Sequence, residues 1–527
     1  MMSKTFVKGA IILTIATFLS KLLGSVFRIP LQNIAGNEVL GIFTLVYPVY
    51  MAVLIISVAG IPIAISKLIS EARVKNSDED IRNIFVTSGI ITFLLGSLSF
   101  LLMFTFSETI ALVLGGPYAT YSVMIVSITL IFAPYMAVYR GFFQGYGDMK
   151  PTAYSQVLEQ FVRVALILVI AYILVVRGAA SDVVAGGVMV GSSIGVLASL
   201  VFLRWTFNRS GLKPASEKKY NWAVFKAWSK KILWLSIPIC IGALTMALLN
   251  LVDSVTIPVQ LRNAGFVNLE VADQYGIYSR GLTLVQIVVV FASALILPLI
   301  PYVTEALAKN DILRTKTVVE KALKFTHLTS WPAAIGLMAL TLPVNLALFK
   351  DLEGSLVIAI ISFSALFTSL AVLTTGVLQG MNRSNEAAII VIISAAVKIV
   401  LNIVLVGAYG LVGAAISTLI TYVVLTALNY WMINKTVPFS IVNRATIVFA
   451  VSSIFMGTAI ALPLTIFTIE EWTRVTALLY TAVSIAVGGS IYGVLVLLLR
   501  ALTKDELATF PIVGNFLAKS LYKTMKG

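Results

Sequence analysis

Apolar runs of about twenty residues or more, broken by short polar segments, fill almost the whole of this 527-residue chain. A helix that crosses a bilayer needs roughly 20 consecutive apolar residues. The pattern predicts fourteen crossings, at 6–34, 42–66, 84–114, 119–143, 151–176, 183–207, 232–260, 275–307, 325–349, 355–381, 387–407, 411–433, 445–469 and 475–500. The expected fold class is therefore all-α integral membrane. Pro62, Pro238, Pro258, Pro298, Pro301 and Pro343 interrupt many of these stretches. Bent helices of this kind line cavities in transporters.

The pattern also returns on itself. Gly141-Phe142-Phe143-Gln144-Gly145 recurs 235 residues later as Gly376-Val377-Leu378-Gln379-Gly380. At the same offset Gly41-Ile42-Phe43 meets Gly276-Ile277-Tyr278, and Arg163 meets Lys398. Ser70-Glu71-Ala72 resembles Thr304-Glu305-Ala306 with a shift of one residue. The reading is two six-helix repeats plus two extra C-terminal helices, with a V-shaped cavity between the repeats. The lobes are expected at 1–220 and 221–435, with the last two helices and a cytoplasmic tail over 436–527. An even number of crossings per repeat relates the halves by an axis along the membrane normal, with cargo bound between them.

Composition supports the membrane reading and narrows the function. Mean hydropathy is +0.99, and only 12% of residues are charged, half the usual share of soluble domains. The net charge of +15 would suggest nucleic acid in a soluble protein, but here it lies in short loops, so no nucleic-acid partner is expected. Of 38 Lys and Arg residues, 29 fall in alternate segments, including the basic stretch 204–231; Arg177, Arg262, Lys350 and Arg474 fall in the others. This bias orients both termini toward the cytoplasm. Lys4 and Lys8 precede an apolar run as in a signal peptide, but no small-x-small cleavage site follows, so a retained first helix is expected. One cysteine, Cys240, excludes an internal disulfide, and one histidine, His327, leaves no His-rich metal site. No phosphate-loop motif is present, so the chain does not hydrolyse ATP by itself.

The five remaining cations, Lys21, Arg28, Arg163, Arg280 and Lys398, sit inside apolar stretches. A charge at the bilayer centre costs between about 3 and more than 10 kcal/mol. Only Glu159 and Asp253 lie at comparable depth, so the interior is net positive and suits an anionic cargo. Lys21 and Arg28 are two turns apart on one helix face, with Gly24 between them. Glu159 and Arg163 have the i,i+4 order that favours a structural ion pair. Lys398 has no such acid and is expected to face the cavity or a partner on another helix. Asp253, beside Asn250, could pair with a cation or help bind a coupling cation. Arg280 opens the eighth crossing in Tyr278-Ser279-Arg280, where its planar fork suits phosphate.

These residues resemble a known family. Ser20-Lys21-Leu22-Leu23-Gly24 followed by Arg28 is similar to the opening helix of lipid-linked oligosaccharide flippases. Gly60-Ile61-Pro62-Ile63-Ala64-Ile65-Ser66-Lys67 looks like the stage V sporulation protein B branch. Tyr278-Ser279-Arg280 and Leu297-Pro298-Leu299 resemble the eighth helix of MurJ-like lipid II flippases. The resemblance spans the whole chain and implies the MATE-like superfamily of multidrug, oligosaccharidyl-lipid and polysaccharide exporters. It implies that Lys21, Arg28 and Arg280 line a cavity for the diphosphate and sugar of an undecaprenyl-linked precursor, and that the last two helices extend that cavity into a lipid-facing groove. Arg28 is followed by Ile29 and Pro30, where lipid II flippases often carry an acid, so lipid II and other lipid-linked glycans both stand as cargo.

The expected function is a flippase that works without a cofactor, as a monomer among membrane lipids. Its drive would be the membrane potential, Na+ or H+. Two other classes are weighed. A cation-coupled drug antiporter needs intramembrane carboxylates, which basic groups outnumber here five to two. A glycan polymerase or glycosyltransferase needs an acidic or metal-binding loop, whereas the longest outside loop, 261–274, offers only Glu270 and Asp273.

Overall fold

The computed structural model describes residues 4–58, 60–214, 219–294, 296–309, 311–440, 443–503 and 506. Among them every regular element is helical. The first half holds α1 (Lys4–Val26), α2 (Arg28–Val58), α3 (Ile61–Val74), α4 (Asp78–Thr105), α5 (Ser107–Val113), α6 (Thr120–Ser127), α7 (Thr129–Gly145), α8 (Lys150–Val176) and α9 (Ser181–Arg209). The second holds α10 (Trp222–Asn263), α11 (Leu269–Ala294), α12 (Ile296–Ala308), α13 (Ile312–Ala339), α14 (Thr341–Phe349), α15 (Ser355–Gly380), α16 (Ser384–Leu401) and α17 (Gly407–Asn434), with a π-helical turn at Asn402–Val406. The chain then forms α18 (Arg444–Ala461) and α19 (Arg474–Leu498), which pack on α13 and α14. The tail beyond 506 lies outside the described residues.

Helix starts follow from local chemistry. Ser77 accepts from the Asp80 amide at 3.2 Å, ahead of Asp78, Glu79 and Asp80 in the first turn of α4. Asn221, Asp311, Asn443 and Thr473 cap α10, α13, α18 and α19 in the same way. Each cap satisfies an otherwise orphaned amide, and acids in the first turn complement the helix dipole.

Ten stretches of the described residues are long and apolar enough to cross a membrane, or eleven if α13 and α14, bent by 78°, form one. This multi-pass architecture agrees in class with the sequence pattern, but the count falls short of fourteen. Part of the difference has a plain cause. The stretches Ile11–Val74 and Ser384–Asn434 each take in two of the expected crossings, which meet at the non-helical Gly36 (φ 83°) and Gly410 (φ 56°).

The repeat reappears as geometry. The Ser70 hydroxyl donates to the Gly145 carbonyl at 3.0 Å, and its counterpart Thr304 donates to the Gly380 carbonyl at 2.8 Å. More telling is the seam between α2 and α11. A Cβ on Gly41 would overlap the Ala272 carbonyl, and a Cβ on Gly276 would overlap the Asn37 carbonyl. Adding 235 to 41 and 37 gives 276 and 272, so each contact is the image of the other. Reciprocal contacts of this kind mark a local twofold axis. In lipid, helices associate through such close approach of small residues, since no hydrophobic gain separates them from the solvent.

Candidate functional site

The seam closes one end of the space between the halves. There the segments 33–38 and 345–351 meet: the Asn33 side-chain amide donates to the Leu348 carbonyl at 2.6 Å, and Lys350 Nζ donates to the Asn33 carbonyl at 3.1 Å. Away from the seam, α1, α2, α7, α8 and α11 enclose a cavity of about 530 Å3. Gln286, which lines it, is ten residues past Gly276 on α11, about 15 Å along the helix.

Lys21 and Arg28 both line this cavity, as does the Glu159–Arg163 pair. Among the described residues Lys21 Nζ reaches only the Ser293 hydroxyl, at 3.5 Å. The Arg28 Nε is buried without a hydrogen-bond partner. Glu159 bonds Arg163 at 2.9 Å, the expected i,i+4 pair, and its other oxygen bonds Arg140 at 2.8 Å. Four cations thus share one carboxylate, a formal excess of three positive charges. The space over Gly24 is taken by the amide end of Gln160.

Arg140 was not legible as a site residue. It stands five residues from the end of α7, so the sequence counts it among loop charges. The usable signal was its place directly before the repeated Gly-x-x-Gln-Gly motif.

Arg280 is the main correction. The resemblance made it a cavity cation, but its side chain is fully buried and lines neither cavity of this site. It forms a two-pronged pair with Asp351 (2.5 and 2.8 Å). Its Nε and Nη2 donate to the Asn37 Oδ1 at 3.0 and 2.6 Å, and Nη1 donates to Asn345 at 3.3 Å. The physical reason is an acid that helix-depth counting missed: Asp351 sits in the turn after α14, where Lys350 adopts φ 72°. Arg280 therefore clamps the seam, joining Asn37 of the first half to α14 of the second.

Lys398 takes the second of its two expected settings, a partner on another helix: it pairs with Asp253 at 2.6 Å and is absent from the lining of both cavities. Asp253 also accepts from the Tyr278 hydroxyl and the Asn402 amide, both at 3.0 Å. Asn402 opens the π-helical turn, a distortion that often accompanies functional positions. Asp253 and Asn250 line a second cavity of about 330 Å3, which shares Arg28, Tyr47, Met51 and Gln286 with the first. Among the described residues, none of α18 or α19 lines these two cavities. Among the described residues no group of three or more His, Cys, Asp or Glu side chains gathers to hold a metal.

Comparison with known proteins agrees with this architecture. The family described as polysaccharide biosynthesis protein matches residues 6–307. The chain is 30% identical over 520 residues to the uncharacterized membrane protein YabM of Bacillus subtilis, covering 97% of this chain and 96% of that one. It is 26% identical over 522 residues to the lipid II flippase MurJ of the same organism, covering 93% and 95%. Stage V sporulation protein B of that organism is 26% identical over 528 residues, covering 98% and 100%. Among solved structures, a lipid II flippase MurJ in an inward closed conformation gives a TM-score of 0.66 at 17% identity, over 92% of this chain and 98% of that one. An inward-facing multidrug resistance MATE family transporter of the MOP superfamily gives 0.62 at 17% identity, over 79% and 95%. These two likenesses establish the fold.

Proposed function

Because the chain belongs to the polysaccharide biosynthesis protein family, we propose that it is a flippase for a polyprenyl-diphosphate-linked saccharide, lipid II or a related cell-wall or polysaccharide precursor. The observation that carries this reading is the cavity with four cations and one carboxylate, in which neither Lys21 nor Arg28 has an acidic partner among the described residues. Uncompensated cations at membrane depth are costly, and a diphosphate supplies the missing anion. The relatives that are named as flippases support the same cargo class.

The transport cycle follows from the seam. The basic end faces the cytoplasm under the positive-inside rule, so the closed seam lies outside and the cavity loads from inside. Cations take the diphosphate, the lobes 1–220 and 221–435 rock about the seam, and the clamp at Arg280 opens to release cargo outward. No bond is made or broken. A membrane potential acting on the anionic headgroup provides about 2.3 kcal/mol per charge per 100 mV; a sodium or proton gradient is the other source of drive. Labelling of a cysteine at position 213 from outside intact cells would overturn the orientation. The antiporter alternative is weaker, because Glu159 and Asp253 are both already taken by basic partners.

The test is complementation of a bacterial strain depleted of its own lipid-linked-glycan flippases. Lys21→Ala and Arg28→Ala should each fail or grow poorly at normal protein abundance. Each charge-assisted bond contributes about 1.5–3 kcal/mol, roughly ten- to a hundredfold in binding. Full complementation by both variants would remove the anionic-cargo reading.

A further inference from the structure

A dense run of positive charge lies where the two repeats join. From Arg204 to Val252 the chain carries eight Lys and Arg residues and a single acid, Glu217. The run takes in the end of α9 and the start of α10, and these two pack together. Leu203 and Phe207 of α9 share one apolar cluster with Phe225, Trp228 and Ile232 of α10. The connection between them is pinned to α4, where the Tyr220 and Thr87 hydroxyls meet at 2.7 Å.

With that face of α10 turned inward, the opposite face is left outward. It carries Lys226, Lys230, Trp234 and Ile237 in one stripe, at spacings of four, four and three residues, and all four are exposed. Among the described residues neither Lys226 nor Lys230 has an acidic partner. Beside the stripe, Lys231 Nζ stands over the Trp228 ring at 4.4 Å. At the end of α9 the Arg209 guanidinium stands over the exposed Trp205 ring at 4.3 Å, and α17 closes in the same way, with Lys435 over Trp431 at 3.5 Å.

Tryptophans near the ends of membrane helices mark the level of the interface with water. On α10 that level is Trp234, which is 78% exposed and lies close to the exposed Ile237. Lys230 and Lys226 stand about 6 and 12 Å farther out along the helix. The headgroup layer is about 5–8 Å thick on each side of the bilayer, and long lysine stems lie along such a surface while the ammonium stays in water. Both charges are therefore within reach of lipid phosphates.

We propose that this face of α10, with the end of α9, is a docking surface for anionic phospholipids. Unpaired lysines select a headgroup with net negative charge over a zwitterionic one. The apolar foot of the stripe, Trp234 and Ile237, favours a bilayer over a soluble acidic protein, because it places bulky apolar side chains at the depth where lipid begins. The inference goes beyond the flippase reading and does not depend on the cargo.

The test uses the purified full-length protein in nanodiscs of equal phosphatidylglycerol and phosphatidylcholine, with one lipid or the other carrying a photoreactive diazirine near its headgroup. Adducts are mapped by peptide mass spectrometry. Capture on residues 222–237 should favour phosphatidylglycerol at least about fivefold, the share of one lysine near an anionic surface. The triple variant Lys226→Gln, Lys230→Gln, Lys231→Gln should bring the two lipids to near-equal capture, and the matching triple Lys→Arg variant should keep the preference. Raising salt from 0.1 to 1 M should also shrink it, since screening then acts within about 3 Å. Residues 447–455 on the outward side of α18 should show no preference. Equal capture of the two lipids on 222–237, a preference that survives the Gln substitutions, or the same preference on α18 would each overturn the proposal; the first would leave the face to an acidic protein. A monodisperse elution profile for each variant guards against misfolding.

Discussion

Arg163 and Lys398 occupy matching places 235 residues apart in the two repeats, yet their surroundings have diverged. Arg163 lines the first cavity and shares Glu159 with Arg140, so its side of the cavity stays electropositive. Lys398 is paired with Asp253, which also accepts from Tyr278 and Asn402, so its side is neutralised. The repeat has preserved a position and a sign of charge while the partners around it decide whether that charge is available. One half thus offers cations to the space between the lobes, and the other keeps its own in an ion pair.

The sharpest way to break this contrast is to remove the two cations in turn. Lys398→Met leaves Asp253 buried and unpaired, which should cost about 3–5 kcal/mol. Arg163→Met leaves Glu159 still paired with Arg140, so the loss should be smaller, about 1–3 kcal/mol. Thermal unfolding in detergent measures both, and the double variant Asp253→Leu with Lys398→Met should recover most of the first loss. Equal losses for the two single variants would mean that the halves are not chemically distinct.

The next largest effect concerns mates that have stayed equivalent. Gly41→Ala and Gly276→Ala each place a methyl against a carbonyl across the seam. Overpacking of this kind costs about 1–3 kcal/mol and falls only on the closed form. Both variants should shift the population toward the open seam by a similar factor, read by spin-label distances between residues 38 and 273. A large effect at one glycine and none at the other would refute the local twofold.

The smallest effect comes from the repeated hydroxyl bond. Ser70→Ala and Thr304→Val should each destabilise by about 0.6 kcal/mol, the average for an interhelical hydrogen bond in a membrane protein. The same unfolding assay resolves whether they match.

Much of this was legible in the chain because it depends on short range. The apolar runs, the Glu159–Arg163 spacing and the repeated Gly-x-x-Gln-Gly motif are local, and each reappears as helix, ion pair or packing. What escaped depended on which distant segment a side chain meets. Arg280 reads as a free intramembrane cation until the turn after α14 brings Asp351 to it. Lys398 has no acid on its own helix, and Asp253 lies 145 residues earlier. Arg140 looks like a boundary charge until α8 places Glu159 beside it. Lys21, Arg28, Glu159, Arg163, Asn250, Asp253, Arg280 and Lys398 stand out in the sequence by their depth in apolar stretches, and depth does not say which way a side chain turns.

The glycine seam has a kinetic meaning beyond packing. Its two contacts are rotational images, Gly41 on Ala272 and Gly276 on Asn37, so a rotation about their shared axis strains both equally. Opening therefore has one threshold instead of a series of small ones, and the barrier behaves as a cooperative switch between two discrete arrangements.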